Sequence, residues 1–376
     1  MISETAIQVL IDKLGKENVI TAAEDLLVLG YDSTPGLHAT PDLVVYPTDS
    51  EQVQSVMQVA RDHKVPITPR GSGTGLSGGS IPVDGGIVIC LNKMDKILEI
   101  DEENLTATCQ AGVVTLDLFN AVAAKGLFYP PDPGSQKIST LGGNVMEDAG
   151  GLRGLKYGVT RDYVMGLEVV LPDGRIARFG NACVKDVAGY SMKDLFIGSE
   201  GTLGILTELT LKLFGQPEAI TAAVCAFDRF EAAVDSVMAT IQMGIPMARI
   251  EFVDRASAAY FNKATQADWP DAPHLMLEFH GSELGVAEQA VRFSEIAADF
   301  GGQKFRWAEK TEDRNALWAM RHNAYRAILA SRPGATAVVT DVDRPVLDLL
   351  IRVVRTPGEA GVALLGSGTS DLFAST

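Results

Sequence analysis

Residues 42–46 form a short apolar run that reads as a buried strand, and behind it the apolar period changes. Val53, Val56, Met57 and Ala60 recur at i, i+3, i+4 and i+7, one face of a helix. Thr48 and Glu51 stand in the spacing of a capping box, so the helix is predicted to start there. Residues 65–68 return to a strand pattern, completing a βαβ unit that ends at a glycine-rich loop. Strand runs at 87–91 and 105–110, with a helix from Thr115 closed by Gly126, predict a second α/β half. Residues 167–171 and 175–179 flank Pro172-Asp173-Gly174, whose fixed proline φ and permissive glycine predict a hairpin. A strand over 205–213 precedes Gly215-Gln216-Pro217, where a boundary between domains 1–215 and 216–376 is expected. Beyond it, strands at 220–227, 248–253, 274–280 and 304–307, with helices from Glu231 and over 287–300, predict β-α-β-β-α-β. The fold class expected is α+β, with a ferredoxin-like second domain.

Length agrees with two domains, since 376 residues exceed the usual single core. No apolar run approaches the roughly 18 residues of a membrane span, and residues 1–15 lack a basic segment followed by an apolar core. A cytoplasmic location is the expectation. The net charge of −16 argues against nucleic acid, whose affinity rests on basic patches. Cys90, Cys109, Cys183 and Cys225 lie too far apart in sequence for a zinc, cluster or dithiol motif, and read as packing residues.

The candidate chemistry begins in residues 69–79, Pro69-Arg70-Gly71-Ser72-Gly73-Thr74-Gly75-Leu76-Ser77-Gly78-Gly79. Such glycine density lets successive backbone N–H groups converge on an anion and approach it closely. Gly73-x-Gly75-x-x-Gly78 matches a dinucleotide fingerprint in spacing, but that motif must open a helix, and Pro82, Gly85 and Gly86 follow instead. A P-loop fails because no Gly-Lys-Ser/Thr ends the run. Alone, the segment leaves a flexible surface loop open as the lesser alternative. Three further glycine-rich blocks lie downstream: residues 132–151, 156–158 and 198–205. Four such segments suit one extended ligand better than a mononucleotide.

Four strings carry a family resemblance: PRGSGTGLSGG at Pro69, TLGGNVMEDAGG at Thr140, KYGVTRDYVMGLEVVLPDG at Lys156 and GSEGTLGILTELTLKL at Gly198. In this order they resemble the FAD-binding, PCMH-type domain of the vanillyl-alcohol oxidase / p-cresol methylhydroxylase superfamily. The similar branch contains the glycolate oxidase FAD subunit and D-lactate dehydrogenases. The resemblance covers residues 35–215 and, more loosely, 216–355. It implies a two-subdomain FAD-binding domain followed by an incomplete cap domain. It assigns the pyrophosphate to Pro69, Arg70, Gly71, Ser72, Gly73, Thr74, Gly75 and Gly78. It places Ser135, Gly142, Gly143, Asn144, Gly150 and Gly151 near the flavin or its ribityl chain and Gly201, Gly204 and Ile205 at the adenosine end, and it counts Thr140, Gly158 and Glu200 among the cofactor-binding residues. Covalent members often carry a histidine in the first loop; none stands here, so noncovalent FAD is expected.

By the same resemblance, Arg321 matches a carboxylate-binding arginine, which implies oxidation of a small 2-hydroxy acid such as D-lactate or glycolate. The alternative for Arg321 is a surface arginine on a helix that also bears Arg314 and Arg326. Tyr325, one turn on, is predicted to share its face and add a hydroxyl. Relatives carry a histidine-rich segment that binds a divalent metal and a later Glu-His pair; neither stands in residues 364–376, where the first is expected. No metal ligands are therefore assigned, and a chain truncated or frame-shifted after about Thr356 is the expectation, leaving the second domain's sheet with an open edge. His274 and His280 share a strand face but read as packing residues. Electrons are expected to pass to an iron–sulfur subunit or a quinone. A flavin-binding but inactive remnant, and a sugar or alcohol oxidase, are the alternative readings.

Overall fold

A computed structural model describes residues 2–331, 333, 337–340, 365–367 and 370–374 of the chain. These fall into two units, Met1–Gly151 with Gly158–Gln216, and Leu152–Tyr157 with Pro217–Thr376.

In the first unit β1 (Val19–Ile20), β2 (Leu43–Val45), β3 (Ile67–Arg70) and β4 (Ile87–Cys90) form one sheet in the order β1-β2-β4-β3. β4 runs parallel to both β2 and β3, as the βαβ reading requires. The crossover helix α1 (Ser50–His63) buries Val53, Val56, Met57 and Ala60, the predicted face. Its cap lies one residue later than expected: Asp49 accepts from the Gln52 N–H, and the Gln52 side chain accepts from the Thr48 N–H. Asp49 and Gln52 make the cap, with the returning bond reaching the Thr48 N–H rather than that of Asp49.

The expected second α/β half is instead an antiparallel sheet. Its strands β5 (Ile97–Asp101), β6 (Thr106–Gln110), β7 (Val164–Val170), β8 (Ile176–Gly180) and β9 (Ile205–Lys212) run in the order β5-β6-β9-β7-β8. The connections from β5 to β6 and from β7 to β8 are tight turns, which antiparallel pairing permits and a parallel crossover does not. Helices α2 (Thr115–Ala123) and α3 (Leu141–Glu147) lie between β6 and β7 along the chain. The second lies inside a glycine-rich string that gave no helical signal. Thr140 caps α3 by accepting from the Gly143 N–H at 3.3 Å.

The second unit carries α4 (Gly154–Tyr157), β10 (Ala219–Phe227), α5 (Phe230–Gln242), β11 (Arg249–Val253), α6 (Arg255–Thr265), β12 (His274–Gly281), α7 (Glu283–Asp299) and β13 (Gly302–Ala308). The strand order β13-β10-β12-β11, antiparallel throughout, is the expected ferredoxin-like arrangement, with α6 as an addition. Two further helices, α8 (Thr311–His322) and α9 (Ala324–Ser331), precede β14 (Ala337–Thr340), β15 (Leu365–Ser367) and β16 (Ser370–Ala374). β15 pairs with β11 and the sheet continues through β16 to β14. The open edge expected from the sequence is therefore covered at β11.

Side chains alternate across this sheet. One face is apolar: Ala223, Cys225, Phe227, Ile250, Phe252, Leu275, Leu277 and Phe279 pack under Ala232 and Ala233 of α5 and Val286, Phe293 and Ile296 of α7. The other face packs Val224, Val253 and Met276 against Trp318, Ala324 and Ile328, but at its far end it bears Arg249, Glu251, Glu278 and His280. Buried charges on a sheet face are costly unless paired, which marks that end as a place to look for chemistry.

Candidate functional site

In the first unit the loop of residues 71–79 leaves the end of β3 and turns over the Arg70 side chain. Arg70 is buried, and its Nη1 donates to the Tyr31 carbonyl at 2.8 Å. Gly73 has a φ of +70°, and a Cβ there would stand 2.1 Å from Arg70 Nη2. The loop thus closes on the guanidinium, leaving no room for a side chain. Arg70 supplies its charge from beneath the loop rather than reaching outward.

Among the described residues no backbone N–H from Ser72 to Ser80 donates a hydrogen bond to a protein acceptor. Those donors, above a buried cation and only partly exposed, are what a pyrophosphate requires. The residues present therefore fit a dinucleotide.

Three of the glycine-rich segments meet here. A Cβ on Gly71 would lie 2.3 Å from Thr140 Oγ1, placing the loop against the α3 cap. The Gly198 and Glu200 N–H groups donate to the Val145 and Met146 carbonyls at 3.1 and 2.9 Å. Gly201, with a φ of +76°, lets the last segment lie on Pro69, since a Cβ would stand 2.3 Å from its Cγ. Asn144 is buried and donates to Thr115 Oγ1 at 2.7 Å, so it braces α3 rather than facing outward. Gly142 packs on Ala111 and Gly151 on Asp132, whereas nothing within 4 Å would meet a Cβ on Gly134, beside Ser135. Gly150 lies within reach of Val159, and Gly158, with positive φ, of Asp162. Gly204 abuts the Val170 carbonyl, and Ile205 opens β9 opposite Val170.

Sequence reasoning missed Glu147. A Cβ on Gly75 would lie 3.2 Å from its Oε1, and one on Gly79 would lie 2.7 Å from Glu200 Oε2. Burial, then the Glu200 charge, raises the Glu147 carboxyl above its ordinary value. The loop is thus bordered by carboxylates on one side and backed by Arg70 on the other.

The second unit gathers a charged cluster on the polar end of its sheet. Glu251 is fully buried on β11 and accepts from Arg321 Nε at 2.7 Å. Arg321 is itself buried, so it is no surface arginine; its Nη1 and Nη2 make no hydrogen bond among the described residues. One turn earlier on α8, Trp318 stacks over the Arg249 guanidinium at 4.3 Å. Arg249 pairs with Glu278 across the strands at 3.3 Å. Although burial raises it, the Arg249 charge and the His280 hydrogen bond hold Glu278 down to about 2. His280 Nε2 lies 2.8 Å from Glu278, and its Nδ1 lies 2.8 Å from Tyr157 Oη.

Tyr325 does not share Arg321's helix. α8 ends at His322, Asn323 leaves helical geometry with ψ near +3°, and Tyr325 belongs to α9. The i, i+4 relation expected of the pair is thereby lost. His274 does share a face with His280, but it packs on Trp269 with ring centroids 4.8 Å apart, and burial drives it down to about 4. Among the described residues no group of three or more His, Cys, Asp or Glu side chains is placed to hold a metal. Tyr157, Glu251, Glu278 and His280 were all missed as site residues. The available signal was a glutamate and a histidine two apart at the end of the strand His274–Gly281, after the apolar run of residues 275–277.

Family models match twice: "FAD binding domain" over residues 41–180 and "FAD linked oxidases, C-terminal domain" over residues 216–356. The chain is 42% identical to the glycolate oxidase subunit GlcD of Bacillus subtilis, across 92% of this chain and 73% of that one. It is 40% identical to a probable mitochondrial D-lactate dehydrogenase of Danio rerio, across 85% of this chain and 64% of the relative. It therefore spans about two thirds to three quarters of the length of these relatives. The fold is similar to that of p-cresol methylhydroxylase, with a TM-score of 0.77 at 19% identity over 99% of this chain and 82% of that structure. Among the described residues no helix is long and apolar enough to cross a membrane.

Proposed function

The chain belongs to the FAD-linked oxidases, and on that premise we propose that it oxidises a small 2-hydroxy acid, such as D-lactate or glycolate, to the 2-oxo acid. FAD is held noncovalently by the 71–79 loop, the α3 cap and residues 198–205. Bound FAD supplies the redox chemistry, accepting a hydride equivalent from the carbon that bears the hydroxyl. The remaining work falls to the chain: bind the carboxylate, orient the hydroxyl and take its proton.

The observation that carries the substrate class is the geometry of Arg321. Glu251 accepts from its Nε, which holds the guanidinium in place, and among the described residues its two terminal amino groups make no hydrogen bond. Paired terminal N–H groups are the fork that receives a carboxylate in two parallel hydrogen bonds. The names of the relatives support the same class. Electrons then leave for a separate acceptor, an iron–sulfur protein or a quinone, since the four cysteines lack cluster spacing.

The test is product formation. FAD-loaded protein with an artificial dye acceptor is given D-lactate, glycolate or D-2-hydroxyglutarate, and the 2-oxo acid is trapped as its hydrazone. One 2-oxo acid per two electrons delivered to the dye is expected. Turnover of alcohols or sugars with none of the acids would refute the substrate class, and no turnover of any of them would indicate a binding protein without catalysis.

A further inference from the structure

The charges around the loop of residues 71–79, all within the first unit, do not balance. On one side is Arg70, only 6% exposed. Its Nη1 donates to the Tyr31 carbonyl at 2.8 Å and to Ser80 Oγ at 3.5 Å, and among the described residues its Nε and Nη2 make no hydrogen bond. Nη2 lies against Gly73, where a Cβ would stand 2.1 Å away. A buried cation with donors that no protein acceptor takes calls for an anion on the loop above it.

On the other side stand carboxylates. Asp32 has both oxygens engaged, accepting from the Thr34 N–H at 2.7 Å and from Ser80 Oγ at 3.3 Å. Glu200 reaches Gly79, where a Cβ would lie 2.7 Å from its Oε2. Glu147, the last residue of α3, faces two of the glycines: its Oε1 lies 3.2 Å from a Cβ built on Gly75 and 3.6 Å from one on Gly79. Its hydrogen bond among the described residues is a long one, from Ser77 Oγ to Oε2 at 3.5 Å, so Oε1, the oxygen against the loop, receives no donor. The adjacent Asp148 is paired with Arg161, whose Nε donates to it at 2.6 Å. Burial against the loop, then the Glu200 charge and more weakly that of Asp32, favour the neutral form of Glu147, with the Ser77 hydrogen bond opposing. The side chain is otherwise exposed, so whatever occupies the loop also takes this carboxyl out of water.

A pyrophosphate on the loop sets a dianion beside an ionised Glu147. Like charges that share a site do not all stay ionised, and the weaker acid takes the proton. Between a pyrophosphate and a carboxyl, that is the carboxyl. Once protonated, it changes from an acceptor into a donor. We propose that Glu147 is a further cofactor-binding residue, which takes a proton from solvent as FAD binds and then donates it in a hydrogen bond to the pyrophosphate, so that cofactor affinity follows pH. The proposal rests on the reading of this loop as the FAD cradle.

The test is titration of the apoprotein with FAD at pH 8, 7 and 6, followed by flavin fluorescence, for wild type, Glu147→Gln and Gly73→Ala. Wild-type affinity should rise toward acid by up to about tenfold per pH unit, the limit for one linked proton. Glu147→Gln is neutral and a donor at every pH. It should bind FAD about tenfold or more tightly than wild type at pH 8 and show a flat profile, a gain that a damaged fold does not produce. Calorimetry at pH 7 in two buffers of different ionisation enthalpy should find proton uptake on FAD binding by wild type and none by the variant. A Glu147→Gln variant that keeps the wild-type pH profile overturns the proposal. So does one that binds more weakly, which would make the ionised carboxylate an acceptor for a cofactor hydroxyl. Gly73→Ala tests the cradle itself and should weaken FAD about tenfold or more at each pH. If it binds FAD as wild type does, the cradle reading falls too; if it weakens binding while Glu147→Gln changes nothing, only the role of Glu147 falls.

Discussion

Replacing Arg321 by Met should cost far more stability than a surface substitution, and the excess is traceable to one buried carboxylate. Glu251 has 0% exposure and accepts from Arg321 Nε at 2.7 Å. Removing the cation takes one partner from a buried carboxylate, a loss of about 3–5 kcal/mol where one member of such a pair is deleted. For a unit of this size each kcal/mol is about 2–4 °C, so the second unit's transition should fall by roughly 6–20 °C. Replacing both partners, Arg321→Met with Glu251→Leu, removes the buried carboxylate as well and should return most of that loss, because a buried pair exchanged for apolar residues is often neutral. Differential scanning calorimetry of the FAD-loaded protein gives the stability, and kcat/KM for the preferred 2-hydroxy acid gives the function. The two readouts should part company: the double variant regains its transition but not its activity. A single variant within about 1 kcal/mol of wild type would refute the energetic reasoning, and a double variant that oxidises the acid normally would refute the role of Arg321.

Other consequences are equally direct. Gly201→Ala forces a residue with a Cβ into a left-handed conformation, a cost of roughly 1–2 kcal/mol, and drives it into Pro69; FAD affinity, measured by fluorescence titration of the apoprotein, should fall about tenfold or more, and an unchanged affinity would mean that this contact does not shape the cradle. Acid precipitation should release all flavin into the supernatant, whereas a yellow pellet would reveal a covalent bond. The second unit should lose stability as pH falls. His274, with a folded value of about 4 against 6.5, and His280, also lowered, refuse protons that the unfolded chain accepts below about pH 6.5; Glu278, held at about 2 against 4.5, extends the loss further into acid. Urea midpoints at pH 7, 5.5 and 4.5, each about one such step apart, should therefore decline in that order, and a flat or rising series would contradict the burial of these groups.

Much of this was legible because it is local. The period of α1, the Pro172-Asp173-Gly174 turn and the succession of strands and helices along the second unit all follow from residues near one another in sequence. The helix α3 was not legible, since Gly142 and Gly143 each disfavour a helix by about 1 kcal/mol. It forms because Thr140 caps it and Gly142 admits the Ala111 backbone, contacts that a local pattern does not contain. The antiparallel second sheet was misread for a related reason: β9 lies between β6 and β7, far from both in sequence. In the second unit the candidate site depends on pairs separated by 70 and 123 residues, Arg321 with Glu251 and Tyr157 with His280. Tyr325 does not share Arg321's helix because that helix stops at His322, which no proline or glycine announces.

The central claim is that a noncovalent FAD held by this chain is reduced by 2-hydroxy acids, and the flavin's visible absorbance reports it. FAD-loaded protein, free of oxygen and of any other electron donor, is mixed with D-lactate, glycolate and D-2-hydroxyglutarate in turn. Bleaching of the oxidised flavin band by at least one of the three, and its return on admission of an electron acceptor, is the predicted result. A chain that binds FAD stoichiometrically and keeps the band unchanged with every one of these acids contradicts the account.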